Sequence, residues 1–347
     1  MTITFTANDT EIDPSLIQEF HVISDIYTLI PRATFRLTRS TTLQTVPIGA
    51  DLRVDLKDDD GDILLSSVFY ITDVDAKPDE GGTPGEYSNI TVTGRHTAEI
   101  GPNWSRGVFG PVSTIMRTAL SGGNPFSETT IEDTSDLARI RYQMNCPTPT
   151  FLNQIAKYGV SQGSAMYLYA DIFGRLFYRS RKSLESSTPK YEIYYLSESD
   201  VFNRTPTYPQ LVASTGSLSQ STLDSSHQRA SKFQTQTFNE SDRIDTPGIL
   251  NLNSKVGFNM NTNTSFYDWT LSPYEGAALS TNLHRRMEDK LSEVVVILNT
   301  IYGVQLGDLV YHNSYLARGI YLVSYLDYLS SDRTLLTKLV LTKVRDE

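Results

Sequence analysis

The stretch 50–76, ADLRVDLKDDDGDILLSSVFYITDVDA, decides between a helical calcium loop and a β-hairpin. An EF-hand loop carries acidic ligands at positions one, three and five, Gly at six and a bidentate Glu at twelve. With Gly61 at six, Asp58 and Asp60 fall at three and five, but Leu56 stands at one and Ser67 at twelve. Two ligands are missing, including the bidentate one. The flanks also disagree with a helix. Leu52, Val54 and Leu56 alternate with Arg53, Asp55 and Lys57, the period of a half-buried strand. ILLSSVFYITDV after the turn is β-branched and aromatic, again strand-like. Asp60-Gly61 between two such runs signals a hairpin, because Gly takes positive φ without steric cost. The reading is a turn, with no metal and no cofactor expected.

Outward from this hairpin the first hundred residues read as strands: ATFRLTR, DLRVDLK, SSVFYITDVDA and SNITVTGRH, with KPDEGGTPGEY as a loop. At Gly101 the pattern changes. GPVSTIMRTAL places Val112, Ile115, Met116 and Ala119 on one helical face, with Pro111 in the first turn. TPTFLNQIAKYG predicts a second helix with Thr148 as N-cap, Pro149 first, Leu152, Ile155 and Ala156 buried, and Gly159 as the stop. SAMYLYADIFGRLFYRSR predicts a hairpin turning at Phe173-Gly174. Strands return at YEIYYL. The polar runs STGSLSQSTLDSSHQRAS and LNLNSKVGFNMNTNTS read as long loops or irregular strands. SPYE at 272–275 is a capping box, with Ser272 at the cap and Glu275 reaching back. Its helix carries Leu279, Leu283, Met287 and Leu291, and four strands follow: VVVIL, GDLVYH, GIYLVSYLDYL and TLLTKLVLTKV.

The expected fold class is mainly β with an α+β insertion: two tube-type, barrel-like β domains and a small α+β domain. The expected division is 1–100, 101–185 and 186–347. The last part holds long polar loops at about 205–270 and a helix at about 273–292.

The chain has 347 residues and a net charge of −10. Residues 1–100 hold 17 acidic and 7 basic side chains, and the other 247 hold 23 of each. This balance argues against tight nucleic-acid binding, which needs a phosphate-neutralising basic face. The single cysteine, Cys146, rules out an intrachain disulfide and a Cys-cluster metal site. MTITFTANDT has no signal-peptide pattern, and no apolar run approaches the roughly 18 residues of a membrane span. His21, His96, His227, His284 and His312 form no HExxH pair, and GxSxG and GxxxxGK[ST] motifs are absent. The sequence therefore points away from an enzyme, and no catalytic residue is assigned.

The ordered set of segments resembles the central hub proteins of phage baseplates, the family that includes late control protein D. It also resembles the hub portion of type VI secretion spike proteins. ADLRVDLKDDDGDILLSSVFYITDVDA looks like the first-barrel unit, with Tyr70 where the family usually has Gly. SNITVTGRHTAEIGPNW and PVSTIMRTAL look like the strand and helix that leave it. TPTFLNQIAKYGVSQGSAMYLYADIFGRLFY resembles the following helix and hairpin. GVQLGDLVYHNSYLARGIYLVSYLDYLSSDRTLLTKLVLT resembles the closing barrel strands. Residues 205–270 match no part of the pattern.

The resemblance implies a structural virion protein, assembled in a host cytoplasm and placed in the tail baseplate. It implies a homotrimer whose six β units face a hexameric tail tube, with DNA passing through the channel. The partners implied are the tail tube protein, a separate spike protein and other baseplate proteins. The spike is expected on another chain, because no collar or needle repeat follows the last strand. Asp58, Asp59, Asp60 and Asp62 then form a hairpin tip that faces either the channel or the solvent. Tyr321, Tyr325 and Tyr328 are candidates for the subunit contact, or for the core. The alternatives are a tail-tip carbohydrate- or receptor-binding β-module, or a cell-wall hydrolase.

Overall fold

The computed structural model describes residues 2–7, 9–40, 48–57, 61, 63–78, 87–99, 101–195, 208–213, 219–220, 234–239, 254–259 and 265–270. It also describes helical positions within 275–289, and residues 293–298, 303–313, 318–331 and 334–345.

The first β region contains β1 (Thr2–Ala7), β2 (Thr10–Ile12), β3 (Ile17–Asp25), β4 (Arg32–Ser40), β5 (Asp51–Lys57), β6 (Ile63–Pro78) and β7 (Tyr87–His96). They pair in the order β3-β4-β7-β6-β5-β1-β2. The deciding stretch is a hairpin: β5 and β6 run antiparallel from Asp51↔Tyr70 to Lys57↔Ile63. Gly61 at its tip has φ +88°. The expected alternation holds for Leu52 and Val54, which are buried, and for Arg53, which is exposed. Asp55 is buried as well, and Arg53 Nε donates to it at 2.9 Å. The sheet curls until Phe5 of β1 meets Phe20 of β3 edge-on, with ring centroids 5.2 Å apart. Five ladders separate those strands along the sheet, so this contact marks a half-barrel.

The α+β unit contains β8 (Asn103–Gly110), α1 (Val112–Ser121), β9 (Glu128–Ile131), β10 (Arg139–Pro147), α2 (Thr148–Ala156), β11 (Val160–Ser161), β12 (Ser164–Ala170), β13 (Arg175–Ser180) and α3 (Arg181–Glu185). The predicted apolar faces of both helices are buried, together with Leu120 and Phe151. The predicted caps differ. Thr148 lies inside α2, and Pro147 holds the cap position. Pro111 is the cap residue of α1 rather than part of its first turn, and it has no capping side chain. A distant segment satisfies the orphan donors there: Val112 N–H donates to Asp136 at 3.0 Å and Ser113 N–H to Thr134 Oγ1 at 3.1 Å. The β12–β13 hairpin turns at 171–174 as expected, with Gly174 at φ +72°. Asp171 accepts from the Phe173 and Arg175 amides, both at 3.0 Å, which fixes the turn.

The second β region contains β14 (Tyr191–Tyr195), β15 (Gln210–Ala213), β16 (Ser219–Gln220), β17 (Gln234–Asn239), β18 (Ser254–Asn259), β19 (Ser265–Thr270), β20 (Glu293–Leu298), β21 (Leu309–His312), β22 (Gly319–Ser331) and β23 (Thr334–Arg345). The polar stretch 205–270 is thus not loop throughout. β17, β18 and β19 form an antiparallel sheet, with pairs such as Thr237↔Val256 and Val256↔Asp268. Their polar side chains interrupt the apolar alternation that marks a buried face, which is why the sequence left loop and irregular strand as alternatives here.

Strand pairing closes the second region into a ring: β22 to β23, β23 to β20, β20 to β15, β15 to β14, β14 to β21, and β21 back to β22. The β15–β20 seam is the thinnest, a single pair at Ala213↔Leu298. Val294, Val296 and Leu298 point inward at period two, against Leu339 and Leu341 of β23.

The two β regions share one sheet. β22 also pairs with β3, from Tyr325↔Asp25 to Ser330↔Phe20. One apolar core runs through both, from Phe5, Phe35 and Phe69 to Val310, Val323 and Leu341.

Candidate functional site

Among the described residues three groupings of side chains stand out, two polar and one apolar. The first lies at the β3–β22 joint. His21 Nδ1 sits 3.0 Å from Asp327 Oδ2, with Glu19 at 3.3 Å from Nε2. Burial pulls the His21 pKa down, but the hydrogen bond and charge of Asp327, helped by Glu19, outweigh it and leave it above the usual 6.5. Burial raises the Asp327 carboxyl above its usual range despite His21. Beside the pair runs an open groove of about 330 Å³, lined by Glu19, His21, Arg36 and Asp75 among others, so its charges are of both signs.

The second grouping is internal and joins the α+β unit to the helical positions within 275–289. Glu275, Asn282 and Asp289 recur every seven residues, on one helix face, and all three are buried. The Glu275 carboxylate takes the Arg141 guanidinium of β10. Asn282 accepts from Met166 N–H at 2.7 Å and donates to the Lys157 and Gly159 carbonyls at 2.9 and 2.8 Å. Asp289 accepts from the Tyr167 hydroxyl, with Arg181 at 3.5 Å and Arg285 at 3.3 Å. Of the apolar stripe predicted for this helix, Leu279 is buried. Ser272, Pro273, Leu283, Met287 and Leu291 lie outside the described residues.

The third grouping is a ribbon of two strands. Among the described residues β8 and β10 pair only with each other, with Phe109 opposite Ile140, Gly107 opposite Tyr142 and Ser105 opposite Met144. Its outer face is apolar and bare: Phe109 is 66% exposed, Ile140 51%, Tyr142 65% and Met144 80%. The Tyr142 ring lies so close over Gly107 that a Cβ there would sit 3.1 Å from it. Neither strand was evident in the sequence, although the alternation Ile140, Tyr142, Met144 is the signal that could have found β10.

Asp58, Asp59, Asp60 and Asp62 lie outside the described residues, as do His227 and His284. Ser67, the position a calcium loop would need as its last ligand, is buried and donates its hydroxyl to the Ile172 carbonyl. Tyr321 and Tyr328 are buried in the shared core, and Tyr328 donates to the Val304 carbonyl at 3.1 Å. Tyr325 is partly exposed, with the Lys338 ammonium 6.0 Å from its ring. His312 is fully buried against Tyr321. His96 packs edge-on to Phe69 and accepts the Ala98 amide at 3.1 Å. Among the described residues no group of three or more His, Cys, Asp or Glu side chains is placed to hold a metal ion.

This architecture, a curled half-barrel fused to a closed ring with an α+β unit between them, is similar in fold to solved phage tail proteins. It matches the 43 kDa tail protein of prophage MuSo2 from Shewanella oneidensis at a TM-score of 0.63, with 13% identity, over 98% of each chain. A tail protein from Neisseria meningitidis MC58 matches at 0.54, with 12% identity, over 98% of this chain and 96% of that one. The E. coli c3393 protein, a type VI secretion component described as similar to T4 tail proteins gp27 and gp5, matches at 0.51 with 8% identity, over 95% of this chain and 74% of that one. No protein-family profile matches the chain, and no curated protein matches it by sequence. The likeness is therefore one of fold, and it agrees with the tail-protein resemblance of the ordered motifs.

Proposed function

We propose that the chain is a structural tail protein that forms the baseplate hub of a virion. In this reading three copies make a ring, join the tail tube to a separate spike protein, and leave a channel through which DNA passes. The observation that carries the proposal is the end-to-end likeness in fold to a tail protein, over 98% of both chains. The shared sheet supports it, because two β units locked by a common ladder keep a fixed spacing, as a ring of repeated units requires. The chain's part is mechanical: it holds partners in register and performs no chemistry of its own.

The test is mass measurement in solution at micromolar concentration, paired with electron microscopy. A trimer with a central hole is expected. A strict monomer with no ring overturns the hub reading and favours a tail-tip binding module, which a screen against glycans and host surface receptors would then examine.

A further inference from the structure

We propose that the bare face of the β8–β10 ribbon docks on the acidic β1–β2 edge of a second copy of this chain; the inference rests on the trimeric reading above. Four large apolar side chains, Phe109, Ile140, Tyr142 and Met144, stand on one side of a ribbon that pairs with no further strand among the described residues. A contiguous apolar patch with two open strand edges marks an interaction surface.

The occupant's charge follows from what lies beneath. Residues 103–110 and 139–147 contain Arg106, Arg139 and Arg141 and no acidic residue. Arg141 is paired with Glu275. Arg106 donates only to neutral acceptors, Gln143 Oε1 at 2.9 Å and the Ala119 carbonyl at 2.6 Å. Arg139 makes no ion pair among the described residues, and its buried Nε has no hydrogen-bond partner. Two uncompensated guanidinium charges thus lie about one strand thickness behind the apolar face, inside the roughly 8 Å screening length of physiological salt. The surface fits a partner that brings both apolar atoms and negative charge.

The chain carries such a surface itself. Residues 1–31 contain no Lys or Arg. β2 ends the sheet order, so its outer edge is unpaired among the described residues. Asp9, Glu11 and Asp13 are exposed in and beside it, and Leu16 and Ile17, which follow in the chain, are partly exposed where they pack against the core. Ribbon and edge are different patches on one chain, so their pairing is head-to-tail, the type of contact that closes into a ring.

The test uses the full chain. Tyr142→Glu with Met144→Glu changes two residues that are mostly exposed, so the melting temperature of the subunit is expected to hold. The concentration at which the trimer half-dissociates is expected to rise roughly tenfold or more, the loss of a central contact. Arg139→Glu is expected to weaken the trimer, and Glu11→Arg in the same chain to restore it. A photo-crosslinking phenylalanine analogue at position 142, in a mixture of isotope-labelled and unlabelled chains, is expected to capture residues 9–17 of another copy. A trimer unmoved by the double substitution, or crosslinks that fall elsewhere, overturns this inference and leaves the trimer standing. A wild-type monomer overturns both.

Discussion

His21 on β3 and Asp327 on β22 are 306 positions apart in sequence and 3.0 Å apart in space, across the ladder that fuses the two β regions. The pair is the polar clasp of that joint. Asp327→Ala is expected to lower unfolding stability by about 1–2 kcal/mol, the usual loss for a partly buried hydrogen bond to a charged group. His21→Ala should cost less, and a double-mutant cycle in urea should recover a coupling of roughly 0.5–1 kcal/mol. Additive single effects would show that the ladder holds without the clasp. Because the His21 pKa is raised, its contribution is complete below about pH 6.5 and fades as pH rises through its folded value. The imidazole is about one-third exposed, so solvent screening holds this pH term under about 1 kcal/mol.

His96 has the opposite sign. Burial lowers its pKa to about 4. The folded state thus keeps it neutral while the unfolded chain protonates near pH 6.5. The stability tied to it is complete above pH 6.5, shrinks as pH falls toward 4, and is constant below. His96→Asn keeps an acceptor for the Ala98 amide and removes the titration. That variant is expected to lose roughly 1–3 kcal/mol less than wild type between pH 6.5 and 4 in urea melts. Equal losses would place the acid sensitivity elsewhere.

Gly174 and His96 test the fit between the α+β unit and the first β region. A Cβ on Gly174 would lie 2.5 Å from His96 Cε1, and φ is +72°. Gly174→Ala should therefore cost more than the roughly 1 kcal/mol of the backbone alone. In a His96→Ala background the same change is expected to cost only that backbone share. A penalty unchanged by His96→Ala would mean the backbone, not the ring, sets the requirement.

Asn282 holds the 275–289 helix to the α+β unit with three hydrogen bonds. Asn282→Ala removes all three bonds, an expected loss of roughly 2–4 kcal/mol. Faster hydrogen exchange at the Met166 amide is the specific readout, since a global loss alone would not single out that contact. Asn282→Asp keeps the acceptor and is expected to protect Met166 better than Ala does.

Much of this architecture was legible in the sequence because long strands with one buried face alternate. DLRVDLK appears where its alternation put it, and VVVIL and TLLTKLVLTKV appear where their apolar, β-branched runs did. The half-barrel's own joint was not legible. β3 reads IQEFHVISD, where Phe20 and Val22 alternate with Glu19, His21 and Ile23, a pattern blurred by a bulge near Glu19. A joint is moreover a relation between two strands, and no local window contains both. The polar heptad Glu275, Asn282 and Asp289 was hidden for a different reason: buried polar residues look solvated until their partners are known. In the ribbon the alternation Ile140, Tyr142, Met144 was there to be read, but nothing in the sequence says that this apolar face is left bare.

The β3–β22 ladder also sets an order of events during synthesis. Asp25 leaves the ribosome 300 residues before Tyr325, its partner. At ordinary elongation rates that interval is about 15–60 s, during which β3 has no strand on that side. The first half of the protein can collapse early, but its sheet is completed only when the last long strands emerge. Contacts this distant in sequence slow folding and leave an edge open meanwhile. A nascent chain stalled before residue 319 would therefore present β3 as a free template to its neighbours on the same message, making prompt completion of translation a condition for orderly assembly.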